Sequence, residues 1–140
     1  VDTKSQFLVF LKLNEISMIF GLFLLAFGTL LGSVWANESW GRYWGWDAKE
    51  VWSLITICLY GTLLHYRFNT RIKSNYFFTV SSIFFYGAVI MTYFGVNYYL
   101  SGLHSYGAIK MEEIPDELVY SMLALLLLIG WSFFSREALD

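Results

Sequence analysis

The chain has 140 residues, of which 57 % are hydrophobic and 14 % are charged, and its formal net charge at pH 7 is −2. A soluble domain carries about a quarter charged residues, so this excess of apolar side chains predicts a membrane protein. The small net charge argues against nucleic acid as a partner. The single cysteine, Cys58, excludes an internal disulfide and a cluster of thiolate metal ligands. No signal-peptide pattern precedes the first apolar segment, and we expect a part of a longer protein.

Four apolar segments predict an all-α integral membrane protein with about four transmembrane helices and two external loops. The segments cover about Ile16–Val34, Val51–Tyr66, Tyr76–Leu100 and Leu118–Phe134, and an amphipathic stretch at 7–13 leads into the first. A membrane-spanning helix needs about 20 mostly apolar residues. The second segment is shorter, but it can extend backwards through an aromatic run. The fourth follows Pro115-Asp116-Glu117, an order typical of a helix start.

The basic residues predict the orientation of these helices. Both termini and the connector at 67–75 share one side, whereas the loops at about 35–50 and 97–117 share the other. The first side holds Lys4, Lys12, Arg67, Arg71, Lys73 and Arg136, and the second holds Arg42, Lys49 and Lys110. Because short cytoplasmic loops are enriched in Lys and Arg, both termini are predicted on the cytoplasmic or equivalent side.

The run WGRYWGWD, from Trp40 to Asp47, is the densest feature of the chain. Indole rings collect at the membrane–water interface, because the bilayer centre offers their N–H no partner. The density of this run exceeds what anchoring one helix requires. We therefore interpret it as an aromatic platform, and we expect Gly41 and Gly45 to allow tight turns and close approach of a flat ligand. The platform residues are Trp40, Tyr43, Trp44 and Trp46, with Trp35 and Trp52 beside them.

The residues after the platform match a helix-capping pattern. In Asp47-Ala-Lys-Glu50, Asp47 can accept hydrogen bonds from first-turn amides while Glu50 reaches back to the start of the helix. Both acids also favour the positive end of the helix dipole. This pattern predicts a structural role for the two carboxylates, without acid–base catalysis.

The two histidines admit two readings each. His104, in the segment GVNYYLSGLHSYG, is either a solvated loop side chain or an axial haem ligand. In the second reading the indoles would suit the porphyrin faces, and Arg42 or Lys49 could pair with a propionate. His65 is either an interfacial side chain stabilised by the helix dipole or a ligand or proton carrier. One membrane span separates His65 from His104, about 30 Å, so they cannot ligate the same iron.

Taken together, WGRYWGWDAKEVWSLIT, the following helix-end histidine and GVNYYLSGLHSYG resemble the haem-handling membrane proteins with a tryptophan-rich WWD domain. The resemblance is strongest to the CcsA (ResC) component of System II cytochrome c biogenesis, and CcmC and CcmF match less well. It covers about Gly32 to Gly107. Residues 1–140 would then form the C-terminal transmembrane part of a CcsA-like domain, separate from or fused to CcsB. Ala48 and Val51 depart from the residues common in that family.

The resemblance implies that reduced haem b is exported and presented to the CxxCH motif of an apocytochrome c. It implies His104 as the external axial ligand and His65 as the transmembrane ligand, each paired with a histidine outside this chain, the latter in a CcsB (ResB) protein. The implied haem-contacting residues are His104, His65, Trp40, Tyr43, Trp44, Trp46, Asp47, Arg42, Trp35 and Trp52. The chain would act in a cytochrome c synthase complex and be inactive alone. Its membrane would be the bacterial inner membrane or the thylakoid.

Two alternatives stay open on the residues alone. A transporter of protons or small molecules would use His65 and Glu15 inside the bilayer and would bind no chromophore. A purely structural membrane subunit would tolerate alanine at both His65 and His104.

Overall fold

The computed structural model describes residues 3–69, 74–100 and 116–134, and every regular element within these ranges is helical. The elements in chain order are α1 (Thr3–Trp40), α2 (Ala48–Phe68), α3 (Asn75–Ile90), a π turn (Met91–Gly95), α4 (Val96–Tyr98) and α5 (Asp116–Phe134). The predicted all-α membrane fold is confirmed, with a helical segment at each of the four apolar stretches.

Within the described residues, two segments, Lys4–Trp40 and Asn75–Tyr98, are long and apolar enough to cross a membrane. A shorter apolar helical stretch, Val119–Phe134, lies in α5. At 1.5 Å per residue, the 21 residues of α2 extend over about 31 Å, close to the hydrocarbon thickness of a bilayer. Large apolar side chains along α1 are exposed and would face lipid or a neighbouring helix in the membrane. They include Phe10, Phe20, Phe23, Phe27, Leu30 and Leu31.

Helix α1 is longer than the sequence predicts at both ends. The stretch at 7–13 belongs to the same helix. Its charged residue, Lys12, lies beside Glu15, whose Oε1 is 3.1 Å from the lysine Nζ. The predicted start of the external loop at residue 35 is wrong. Residues 35–40 contain neither glycine nor proline, so the helix continues to Trp40. It stops at Gly41, which has a φ of 71° and donates its N–H to the Asn37 carbonyl.

The third apolar segment is also different from the prediction of one regular helix. It begins at Asn75, capped by the Ser74 side chain, but between Met91 and Gly95 it widens into a π turn. The Val96 N–H donates to the Met91 carbonyl five residues back. The single residue added to this turn rotates everything that follows it.

Helix α2 lies between α1 and α3, and α5 packs against α3. Because α1, α2 and α3 alternate in direction, Trp40, Ala48 and Tyr98 lie at one end of the bundle, which we call the tryptophan end. The opposite end holds Phe68 and Asn75 and is called the His65 end. The buried core lies towards the His65 end, where Phe78 is fully enclosed by neighbours from α1 and α2. Its members are Leu11, Met18, Leu63, Leu64 and Phe78.

Candidate functional site

The seven-residue connector from Gly41 to Asp47 is fixed to the start of α2 by a complete capping box. Asp47 Oδ1 accepts from the Glu50 N–H at 3.0 Å, and Glu50 Oε2 accepts from the Asp47 N–H at 3.2 Å. The same Glu50 oxygen also accepts from the Gly45 N–H at 2.7 Å. The predicted capping role is therefore confirmed. It also extends further into the aromatic run than the motif alone indicates.

Two residues of the connector occupy the left-handed region of backbone space. Gly41 does so without cost at a φ of 71°, but Trp46 has a φ of 57°. A non-glycine residue pays about 1–2 kcal/mol for this conformation. Trp46 lies between Gly45 and Asp47, both held by the capping box, so the box maintains the strain. The strained backbone directs the Trp46 side chain outward, with 72 % of its surface exposed.

The predicted platform residues form two aromatic pairs. Trp35 and Trp40, at the end of α1, meet edge to face with their ring centroids 5.0 Å apart. Trp44 and Trp46 meet in the same way at 5.8 Å. Tyr43 is exposed beside the second pair. The structure therefore brings the aromatic residues to the tryptophan end.

A cavity of about 340 Å³ lies between the connector and α1. One wall is aromatic and comes from Tyr43 and Trp44, and the opposite wall is the glycine face of α1 at Gly28 and Gly32. A Cβ atom added at either glycine would have no heavy atom within 4 Å. The missing side chains therefore keep this space open. Leu24, Leu25, Thr29, Ser33, Lys49, Glu50, Ser53 and Thr92 complete the lining.

Trp44, which lines the cavity, also carries a buried hydrogen-bond donor. Among the described residues, Trp44 Nε1 is buried and has no hydrogen-bond partner. An N–H group left in this condition costs roughly 1–3 kcal/mol, which an acceptor on a ligand would recover. Lys49 lines the same cavity, and its Nζ lies 3.4 Å from Asn97 Oδ1. Lys49 thus places a cation beside a cavity whose lining is largely apolar.

Two of the predicted site residues lie elsewhere at this end. The Arg42 side chain is exposed and folds back over Gly45, where its Cζ is 2.9 Å from the position a Cβ would take. A larger residue at position 45 would therefore require the flexible Arg42 guanidinium to move. Trp52 is partly buried in the second turn of α2, and its carbonyl accepts from the Thr56 hydroxyl at 2.8 Å. Of the two cations considered for a propionate, Lys49 is the one that lines the cavity.

His65 lies near the end of α2, 18 residues after Asp47, which places it about 27 Å from the connector along the helix. Its Nδ1 is 2.7 Å from the Gly61 carbonyl oxygen. Because a carbonyl only accepts, Nδ1 carries a hydrogen in this contact, and in the neutral imidazole the lone pair is on Nε2. The side chain is exposed. Histidines that ligate a metal generally have their other ring nitrogen fixed by a contact of this kind.

His104 lies outside the described residues, so its predicted place beside the platform stays a prediction. The described chain approaches it as far as Leu100, whose N–H donates to the Gly95 carbonyl at 3.2 Å. The predicted external loop at 97–117 likewise falls mostly outside the described residues.

The His65 end contains an ion pair between two residues that the sequence alone did not connect. Arg67 Nε lies 3.6 Å from Glu15 Oε2, and both side chains are largely buried. Arg67 also donates to Asn75 Oδ1 at 3.0 Å, and its guanidinium lies 5.2 Å from the centre of the Phe78 ring. These contacts join α1, α2 and α3 two residues beyond His65.

Sequence reasoning missed the α1 wall of the cavity. The spacing Gly28-x-x-x-Gly32 was the available signal, since small residues four apart on a membrane helix permit close approach of another surface. What the spacing did not indicate is that the space beside these glycines stays open, with Tyr43 and Trp44 of the connector in the same lining.

The family whose sequences match this chain is described as cytochrome C assembly protein, and the match covers residues 5–104. Protein NrfI of Wolinella succinogenes is 55 % identical over 95 residues, which are 68 % of this chain and 10 % of that protein. The cytochrome c biogenesis proteins CcsA of Piper cenocladum and Ranunculus macranthus are 50 % and 47 % identical over 88 residues. Those residues are 63 % of this chain and 27 % and 28 % of the relatives, so the chain spans only part of their length.

Proposed function

The chain belongs to the cytochrome c assembly protein family, and we propose that it forms the part of a membrane protein that presents reduced haem b to the CxxCH motif of an apocytochrome c. The observation that carries this proposal is the cavity at the tryptophan end. A porphyrin edge is flat and apolar and carries two carboxylates. Gly28 and Gly32 supply a flat wall, Tyr43 and Trp44 an aromatic wall, and Lys49 a cation.

The residues of the cavity would hold the haem by its propionate edge. Lys49, which lines the cavity, pairs with one of the carboxylates. The volume of about 340 Å³ lies at the lower end of ligand pockets, so it takes part of the ring and leaves the rest outside. The exposed Trp46 and Tyr43 cover that protruding part against water.

In this proposal His104 supplies an axial ligand to the iron from the chain that follows Leu100. A neutral imidazole stabilises the ligated iron, and the cavity fixes the orientation of the ring. The vinyl groups then remain accessible to the cysteine thiols of the apocytochrome. The bond-forming chemistry belongs to the haem and the thiols, and the protein contributes position and exclusion of water.

We further propose His65 as the ligand of a second, transmembrane haem position. The support is its exposed side chain and the Gly61 carbonyl that leaves Nε2 free to bind iron. The partner ligand for each histidine would come from outside residues 1–140, and a CcsB (ResB) protein is the proposed source for His65. The tryptophan end would face the periplasm or thylakoid lumen, as the distribution of Lys and Arg predicts.

The test is an absorption spectrum of the intact protein, purified in detergent and reduced with dithionite. We expect the spectrum of a bis-histidine haem, weakened in His104→Gly and in His65→Gly and restored by added imidazole. Asn69→Gly, at another exposed position near the end of α2, is the control for His65→Gly. A colourless protein, or a spectrum unchanged in both histidine variants, would contradict the proposal and favour a transporter or a structural subunit.

A further inference from the structure

We propose that the π turn at Met91–Gly95 is a positioning element, which rotates the last turn of the third membrane segment onto α2 at the point where the chain departs towards His104. The inference rests on the proposed ligand role of His104. It concerns a part of the chain outside the aromatic run and both histidines. It is argued from two contacts of α2 with the third segment, one within the π turn and one just after it.

Two polar contacts join these helices near the tryptophan end. The hydroxyls of Thr56 and Thr92 lie 3.2 Å apart, and Lys49 Nζ lies 3.4 Å from Asn97 Oδ1. Each threonine hydroxyl also lies within 2.8 Å of a carbonyl of its own helix. Because a hydroxyl has one hydrogen, one threonine donates across the interface while the other donates to its own helix. The two contacts therefore fix both position and rotation.

The spacing of these contacts requires the π turn. On α2, Lys49 and Thr56 are seven residues apart, which is about two turns, so they share a face. Their partners Thr92 and Asn97 are only five residues apart. In an α-helix, five residues rotate by about 500°, leaving the two side chains about 140° apart. A π turn is closed by a hydrogen bond between residues i and i+5, so it brings Asn97 nearly above Thr92 along the helix axis.

The π turn is also packed rather than loose. Gly95 is buried, and a Cβ placed there would lie 2.5 Å from Met91 Cε and 2.6 Å from Met91 Sδ. The methionine side chain therefore occupies the space that a larger residue would need. Beyond the turn, the Tyr99 and Leu100 N–H groups both donate to the Gly95 carbonyl. This geometry ends the helix at Tyr98, three residues after Gly95, and His104 follows six residues later in the sequence.

Removing one residue and adding one residue at the same place should have opposite effects on the contact at Asn97. Deleting Tyr93, which is 60 % exposed, brings Thr92 and Asn97 to a spacing of four, and a regular α-helix then puts them on one face. Inserting one alanine after Tyr93 places Thr92 and Asn97 six residues apart. In an α-helix their side chains then point about 120° apart around the axis. The deletion should preserve both contacts, whereas the insertion should break the one at Asn97.

Cross-linking measures this rotation without reference to haem. In a Cys58→Ser background, the pair Lys49→Cys/Asn97→Cys is treated with a short bismaleimide, and Thr56→Cys/Thr92→Cys is the matched pair on the unchanged side of Tyr93. We expect the first pair to cross-link in the parent and in the Tyr93 deletion but not in the insertion. The second pair should cross-link in all three. A deletion that loses the first cross-link, or an insertion that keeps it, would overturn the inference.

The spectrum of the reduced intact protein, with native Lys49 and Asn97, then tests the connection to His104. We expect the deletion to retain the haem signal and the insertion to lower haem affinity by about tenfold or more, as when the support of a metal ligand is lost. Added imidazole should restore the insertion variant. An insertion that abolishes the cross-link but keeps the haem signal would refute the positioning role. A colourless parent would refute the proposed function, while the cross-links still report whether the π turn sets the rotation.

Discussion

Asp47 provides the sharpest distinction between a capping residue and a ligand-binding residue. It lies in the aromatic run, but its side chain accepts from the Glu50 N–H and begins α2. Asparagine caps a helix as well as aspartate does, whereas alanine cannot accept the hydrogen bond. We therefore expect Asp47→Asn to behave like the parent and Asp47→Ala to loosen the connector.

The magnitude follows from the hydrogen bonds that each variant removes. Losing an N-cap costs about 1 kcal/mol, so Asp47→Ala should weaken haem retention by about fivefold if the connector must be ordered to bind. Glu50→Ala removes the acceptor of two backbone N–H groups, Gly45 and Asp47. Both sites are partly solvated, so we take about 1 kcal/mol for each bond, or about 2 kcal/mol together. This energy corresponds to a loss of about 30-fold.

The assay is haem retention by the detergent-purified intact protein, followed by the reduced spectrum during competition with apomyoglobin. Hydrogen exchange of the Gly45 and Asp47 amides reports the order of the connector independently. We expect the two measurements to rank the variants alike, with Glu50→Ala affected most and Asp47→Asn least. If Asp47→Asn loses as much haem as Asp47→Ala while its amides stay protected, the carboxylate charge acts on the ligand and the capping explanation is refuted.

Three further predictions concern stability, measured by thermal unfolding in detergent. Trp46→Gly should unfold at a higher temperature than Trp46→Ala, because glycine relieves about 1 kcal/mol of left-handed strain; equal values would contradict the strain. Glu15→Gln should lower the free energy of unfolding by about 2 kcal/mol, because the charge of Arg67 loses its partner. Adding Arg67→Met should recover part of that loss, and purely additive losses would argue against the pair. Phe78→Ala should cost about 3–5 kcal/mol, since its side chain is fully enclosed, and a loss below 1 kcal/mol would contradict its place in the core.

The features that the sequence predicted correctly are local ones. The capping box depends on residues three apart, and the four helical segments depend on continuous apolar runs. The aromatic pairs of the connector follow from their closeness in the chain. In each case neighbouring residues determine the structure, and no information about packing is needed.

The features that escaped prediction depend on residues distant in sequence. The Glu15–Arg67 ion pair joins positions 52 residues apart, and the glycine wall of the cavity exists only because one face of α1 turns towards Trp44. The π turn lies where the third segment contacts α2 through Thr92 and Asn97, residues far from their partners in sequence. Periodicity within one segment carries no information about such a competition.

Haem content in variants of two α1 glycines tests directly whether the cavity beside Trp44 holds the haem. Gly32 lines the cavity beside Trp44, whereas Gly21 lines a separate, larger cavity of about 680 Å³, and an added Cβ has no neighbour within 4 Å at either position. An added Cβ therefore fits at either position, leucine makes a pair of variants matched in size, and the measurement is haem content after purification of the intact protein. We expect Gly32→Leu to lose the haem that depends on His104 and Gly21→Leu to retain it. Equal haem content in the two variants would contradict the claim that this cavity holds the haem.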